Sequence, residues 1–349
     1  MLGRSWDPRK VHRGGVHFGS GGMLSRGATR KRLAGVVALG IATSLAASGC
    51  GGALSAKANG DKKVAFSFLY SEIPAAPALK RFARDRAQQR GYTLLTDNIQ
   101  GGKVDEQIPS VASFISQKVK AMTVQVQDPS AYGGMMRRAH GAGIKFVTYV
   151  APAPGQDASI LFPLVPAARQ LSADAAKWIN QHLGGKGEVL LMTLTSDPTS
   201  RAASTALGAT IERETHAKVV ASQQALDQAT GVRVTQTALR AHPHLNVVLA
   251  WNDGGALGAA QVFKQRGMDP KKIYVASNEA SQQGLQAVKD GNLFLKTLNV
   301  LSIKALGQAV ADVPIDLAEG KKTGGVNIPH VLVHPGDTAK LAGYLAEYR

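Results

Sequence analysis

A single cysteine, Cys50, is the whole thiol inventory of this 349-residue chain. Without a second cysteine there is no intrachain disulfide framework and no cysteine-rich metal centre, so packing must hold the fold. Aromatic residues are scarce, at 5%. No basic run with interleaved aromatics, helix-turn-helix or zinc-finger spacing occurs, so no nucleic-acid partner is expected despite a formal charge of +17. His182, His242, His244, His330 and His334 form no H-E-x-x-H pattern and read as surface or loop residues, so no metal or other cofactor is expected. A G-x-S-x-G turn, a phosphate loop and paired metal-ligand motifs are also missing, and the chain is not expected to be an enzyme.

What is present begins with an apolar stretch at 33–47. It is about 15 residues long, short of the ~20 that a membrane-spanning helix needs. Arg30-Lys31-Arg32 precede it and Ser48-Gly49 follow, which is the order of an export signal. Ala46-Ala47-Ser48-Gly49-Cys50 resembles the bacterial lipobox, whose cysteine is acylated and left as the first residue after cleavage. The expectation is a signal peptide at 1–49, lipidation of Cys50, and a small, polar, lipid-anchored linker at 50–61. Residues 1–22 are an extended or misassigned start, because Met23 to Cys50 alone has signal length. The alternative is a buried, inert thiol. The folded body is thereby placed on the extracytoplasmic face of the cell membrane. Residues 1–49 hold eight Lys or Arg and one Asp, so +7 of the charge lies there and +10 remains on the body.

The 300 residues from Cys50 onward suit two lobes better than one. Strands are expected at 64–69, 93–96, 121–126 and 145–150, with helices at 78–90, 104–117 and 130–142 between them. Ala151-Pro152-Ala153-Pro154-Gly155 then breaks the rhythm and reads as a crossing between lobes. Helices follow at 166–183, 200–215, 231–241, 254–266 and 281–289, alternating with strands at 188–193, 219–221, 246–250, 272–276 and 293–297. Alternation of this kind builds parallel βαβ units. The fold class is therefore α/β, with two doubly wound parallel-sheet lobes joined by a hinge. The lobes are 62–153 with 300–326, and 154–299 with 327–349, and the hinge lies near 151–155, 299–302 and 327–329. Ligands of such sheets bind beyond the carboxyl ends of the strands.

The most specific segment is Ala241-His242-Pro243-His244-Leu245-Asn246-Val247-Val248-Leu249-Ala250-Trp251-Asn252-Asp253-Gly254-Gly255-Ala256-Leu257-Gly258-Ala259-Ala260. With Asp128-Pro129-Ser130, Ala142-Gly143-Ile144, Leu183-Gly184-Gly185-Lys186-Gly187 and Val288-Lys289-Asp290-Gly291 in order around it, it closely resembles the type I periplasmic sugar-binding proteins, the ribose- and galactose-binding receptors of ABC importers. The resemblance implies the periplasmic binding protein type I fold and a carbohydrate or polyol held in an interlobe cleft. It also implies ABC permease subunits as partners and a monomer. A membrane-tethered sensor is the alternative, and a transcription regulator of the same fold would need a DNA-reading headpiece that is absent here.

The resemblance also implies a site. Asn252 stands where the family bonds its sugar, or else it caps the following helix, a role assigned first to Asp253. Asn278 takes the place of a sugar-binding aspartate, and Asn299 that of a glutamine or asparagine near a crossing. Arg201 lies in the loop of a family arginine, in shifted register, with Ala203 and Thr205 at the usual positions. Trp251 either stacks on a ring face or fills space between the lobes. The first lobe lacks the family's two aromatics after Pro74, having Ala75-Ala76, and lacks its Asp-Arg pair, having Tyr149-Val150-Ala151. Tyr70, Glu72, Gln125 and Tyr149 are left to line that wall.

Overall fold

A computed structural model of the chain describes residues 62–195 and 198–349. The expected signal, Cys50 and the linker lie outside the described residues, as do Ser196 and Asp197 of the loop before Arg201. The first half contains β1 (Lys63–Ser67), α1 (Ala76–Gln89), β2 (Thr93–Thr96), α2 (Val104–Ser116), β3 (Ala121–Gln125), α3 (Gly133–Gly141), β4 (Lys145–Tyr149) and β5 (Ala158–Leu161). There follow α4 (Leu164–Leu183), β6 (Glu188–Thr193), α5 (Pro198–Glu214), β7 (Lys218–Gln224), α6 (Gln228–Ala241), β8 (Leu245–Ala250), α7 (Asp253–Gln265), β9 (Tyr274–Ser277), α8 (Gln282–Lys289) and β10 (Leu295–Val300). The chain closes with α9 (Ile303–Ala318), β11 (Gly325–Asn327), β12 (Val331–Val333) and α10 (Thr338–Ala346).

The strands form two six-stranded sheets, ordered β11-β5-β4-β3-β1-β2 and β12-β10-β9-β8-β6-β7. Central strands of parallel sheets are covered on both faces and so read as unbroken apolar runs. In β8, Val247 and Leu249 point to the layer built with α4 and α5, while Val248 and Ala250 point to the layer built with α6 and α7. The strand β12 runs antiparallel to β10, so the second sheet is not wholly parallel.

Helices of each lobe approach one another through glycine. A Cβ on Gly258 of α7 would stand 2.4 Å from the Gln228 carbonyl oxygen and 2.6 Å from the Val232 amide nitrogen of α6. Gly307 of α9 meets α1 in the same way, where a Cβ would lie 2.8 Å from the Leu79 carbonyl oxygen. The Ala256-Leu257-Gly258-Ala259 motif is thus a packing device, needed because backbone cannot yield as a flexible side chain can. The α1–α9 contact is reinforced at its end by Arg90, which pairs with Asp312 at 3.0 Å, Asp316 at 2.8 Å and Glu319 at 2.6 Å.

The expected crossing at 151–155 is corrected by β5. That strand pairs with β4 and β11 in the first sheet, so the chain leaves the first lobe after Leu161, not at the double proline. The proline segment is a turn within that lobe, held by Gln156, whose Oε1 accepts from Thr148 Oγ1 at 2.6 Å and Ala153 N at 2.7 Å. The other transfers occur at 301–302, between β10 and α9, and at 328–330, between β11 and β12. The chain's last residues also depart from the expected division. Glu347 accepts from Ser302 Oγ and Lys304 N at the start of α9, its carbonyl accepts from Arg81 of α1, and Tyr348 packs against the cores of both lobes.

Among the described residues no helix is long and apolar enough to cross a membrane. Substituting Gly258→Ala is expected to destabilise the protein by about 1–3 kcal/mol, as overpacking of a tight contact does. Urea unfolding checks this, and a midpoint equal to that of the parent would refute the helix contact as the reason for the motif.

Candidate functional site

All three crossings leave the carboxyl ends of strands, namely β5, β10 and β11, so these ends flank the junction of the lobes. Aromatic rings line the approach. Tyr149, at the end of β4, meets Phe66 edge-on at 5.7 Å and Phe162 of the first crossing at 5.7 Å, and Phe162 meets His330 of the third crossing at 6.3 Å. Burial pushes the His330 pKa down to about 4, so the imidazole is neutral. Val150, directly after Tyr149, has φ of +78°, a strained conformation for a β-branched residue that holds the end of β4 in its place.

Across the junction, the loop after β9 carries Asn278 and Glu279. Asn278 is 1% exposed and Asn299 0%. The Asn299 amide donates to the Ala167 carbonyl at 3.0 Å and to Asn278 Oδ1 at 3.3 Å. Asn278 Nδ2 and Asn299 Oδ1 are left buried without a partner among the described residues. Glu279 binds the protein only through its backbone, the amide donating to Ser277 Oγ and the carbonyl accepting from Asp253 N. The residue is exposed to solvent at the rim of the loop, while neighbouring protein crowds its carboxylate. Burial, with the like charge of Asp253 behind it, pushes its pKa up to about 7. The Tyr149 phenol is raised by burial and by the Glu279 charge, so the two groups lie within electrostatic reach of each other.

Other residues expected at the site are occupied by the protein itself. Asn252 caps α7: Oδ1 accepts from Gly255 N at 3.2 Å and Nδ2 donates to the Leu226 carbonyl at 2.8 Å. The cap assigned to Asp253 is therefore corrected. Asp253 instead holds the start of α8, accepting from Ser281 N at 2.9 Å and Gly284 N at 2.8 Å. Trp251, 5% exposed, shares the face of Val247 and Leu249 by strand alternation and is packed in the α4–α5 layer, not between the lobes. Arg201 donates to the Thr195 carbonyl at 3.0 Å and lines a groove with Arg169 and Arg213 between α4 and α5, apart from the Asn278–Asn299 pair. Glu72 accepts from Gly101 N at 2.9 Å, and Tyr70 lies over Gly102, so both close down the loop after β2. Gln125 accepts from Leu69 N at 3.0 Å through Oε1, tying β3 to the end of β1. Of the residues expected at the site, the structure brings Asn278 and Asn299 into hydrogen-bonding contact, and next in the chain stands Glu279, which sequence reasoning missed and which acts electrostatically on Tyr149. The signal available was its place directly after Asn278, one residue beyond the family's carboxylate.

A family model described as "Periplasmic binding protein domain" matches residues 64–322. The chain belongs to the periplasmic binding protein family. The ribose import binding protein RbsB of Salmonella typhimurium is 26% identical over 275 residues, covering 78% of this chain and 91% of the relative. The galactofuranose-binding protein YtfQ of Escherichia coli is 25% identical over 237 residues, covering 65% and 74%. Among solved structures, an ABC transporter solute-binding protein of Bacillus halodurans with bound myo-inositol superposes with a TM-score of 0.68 at 20% identity, covering 82% of this chain and 98% of that one.

In this periplasmic binding protein the Glu279 pKa has a measurable consequence. A carboxyl raised from its ordinary 4.5 to about 7 holds its proton more tightly in the folded chain than in the unfolded one, so stability falls as pH rises through that window. Glu279→Gln removes the penalty. The variant is expected to melt above the parent at pH 8, with the difference shrinking towards zero near pH 4.5. A difference that is the same at both ends would contradict the assigned environment.

Proposed function

We propose that this protein is the extracytoplasmic solute receptor of an ABC importer, held at the membrane by a lipid on Cys50, and that its solute is a sugar or a similarly polar, hydroxyl-bearing molecule. The observation that carries the reading is a pair of buried amide atoms without a partner among the described residues, Asn278 Nδ2 and Asn299 Oδ1, beside the solvent-exposed Glu279 carboxylate, which has the Tyr149 hydroxyl of the first lobe within its electrostatic reach. Buried polar atoms cost free energy unless they are hydrogen-bonded, so a ligand that satisfies them is favoured. A hydroxyl both donates and accepts, which suits an amide nitrogen beside an amide oxygen. The sugar names of the relatives agree with this chemistry.

Mechanism follows from the placement. A solute bonded by Tyr149 from the first lobe and by Asn278, Asn299 and Glu279 from the second gains all its contacts only when the lobes close. It shifts the equilibrium towards the closed form through that differential affinity. The rotation is absorbed by the crossings at 162–163, 301–302 and 328–330, as in hinge closure generally. The closed form is the one that docks on the permease. Asn252 keeps one amide hydrogen for a solute hydroxyl and Gln125, whose side-chain nitrogen bonds no described residue, keeps two, while Tyr70 and Glu72 hold the loop after β2 against the first lobe.

Thermal melting of the full chain with a panel of pentoses, hexoses and cyclitols tests the reading. A binder at 100 times its Kd stabilises the protein by about 2.7 kcal/mol, a shift of several degrees. A panel in which no compound moves the transition would refute the sugar class. The tether is checked separately. Cys50→Ala is expected to move the protein from the detergent phase to the aqueous phase on phase partitioning, and retention in the detergent phase would exclude lipid at Cys50.

A further inference from the structure

We propose that Glu279 reads the charge of the solute, and that the solute carries a protonated amine on its hydroxylated frame. The proposal rests on the cleft being the solute site and names the chemical class that enters it. Three observations lead to it. First, the Glu279 carboxylate makes no ion pair or hydrogen bond with any described residue, although it stands at the junction of the lobes beside two asparagines with unpartnered buried atoms. Its neighbour Asp253 shows the contrast, since its Oδ2 accepts from the backbone and hydroxyl of Ser281 and the backbone of Gly284.

Second, the cations at the strand-end loops are committed elsewhere. Lys80 donates to Ser71 Oγ at 2.8 Å and the Asp97 carbonyl at 2.7 Å, Lys103 pairs with Glu106 at 2.6 Å, and Arg201 turns to the Thr195 carbonyl. Third, the groups within electrostatic reach of Glu279 are the neutral phenols of Tyr149 and Tyr348 and the carboxylate of Asp253, which has the same sign. Closing the lobes over a neutral sugar would enclose an uncompensated negative charge, which is costly. An ammonium group compensates it and forms a charge-assisted hydrogen bond, roughly twice as strong as a neutral one. Tyr149, Asn278 and Asn299 then remain for the hydroxyls.

Matched pairs decide the matter: D-glucosamine against D-glucose, D-galactosamine against D-galactose, and 2-deoxystreptamine against myo-inositol, titrated calorimetrically into the full chain at pH 7.5. The expected result is that an amine member binds about tenfold or more tightly than its hydroxyl counterpart, as a charge-assisted contact implies. The ratio should fall to near one in Glu279→Gln and persist in Glu279→Asp, which keeps the charge. Hydroxyl members that bind as well as their amine partners would overturn the charge inference and leave the sugar-receptor reading standing. A preference that survives Glu279→Gln would equally overturn it. Silence from both members of every pair would count against the charge inference and the sugar reading together.

Discussion

Among the described residues the two sheets are linked covalently by three short crossings, and each departs from the carboxyl end of a strand. That constraint fixes where a ligand can sit, which residues face it and which segments must bend. It also explains the aromatic contact between crossings. Phe162 of the first and His330 of the third touch ring to ring, and Tyr149 leans on the same stack from the end of β4. A neutral imidazole suits this dry setting, since a charged one would have no partner there.

The site is legible as the hydrogen-bonding capacity that the fold leaves over. Most polar residues near the strand ends are consumed in building the walls. Asn252 spans from the start of α7 to a carbonyl 26 positions earlier, Asp253 gathers the start of α8, and Gln125 joins two strands. What escapes this use includes the Tyr149 phenol, one half of each of the Asn278 and Asn299 amides, and the Glu279 carboxylate. In the proposed mechanism their arrangement on both lobes makes closure and ligand binding a single event, because neither lobe alone would satisfy the ligand.

The alternation of strands and helices was readable because buried parallel strands leave unbroken apolar runs and surface helices leave a 3.6-residue stripe. The element β5 was not, since four residues with Ser159 in their middle, after a proline-rich turn, carry too little pattern. Its loss displaced the first crossing by several residues. The short β11 and β12, and α9 with Pro314 inside it, were missed for similar reasons of length and interruption. Strand ends were placed to within three residues, but which side chain is free depends on partners far along the chain. The carbonyl that occupies Asn252 belongs to Leu226, and no local motif foretells it. Trp251 was likewise placed correctly along the chain and wrongly in space, because strand alternation sends it with Leu249 into the core.

Neither lobe is a continuous stretch of chain. The first obtains α9, which packs on α1 and carries Val310 and Ile315 into its core, and the edge strand β11, only after nearly the whole second lobe has been made. A chain emerging from the ribosome therefore cannot complete its first core until residue 327 is available. The connectivity itself thus postpones closure of the first core until almost the whole chain is present, so the two lobes mature together and not one after the other.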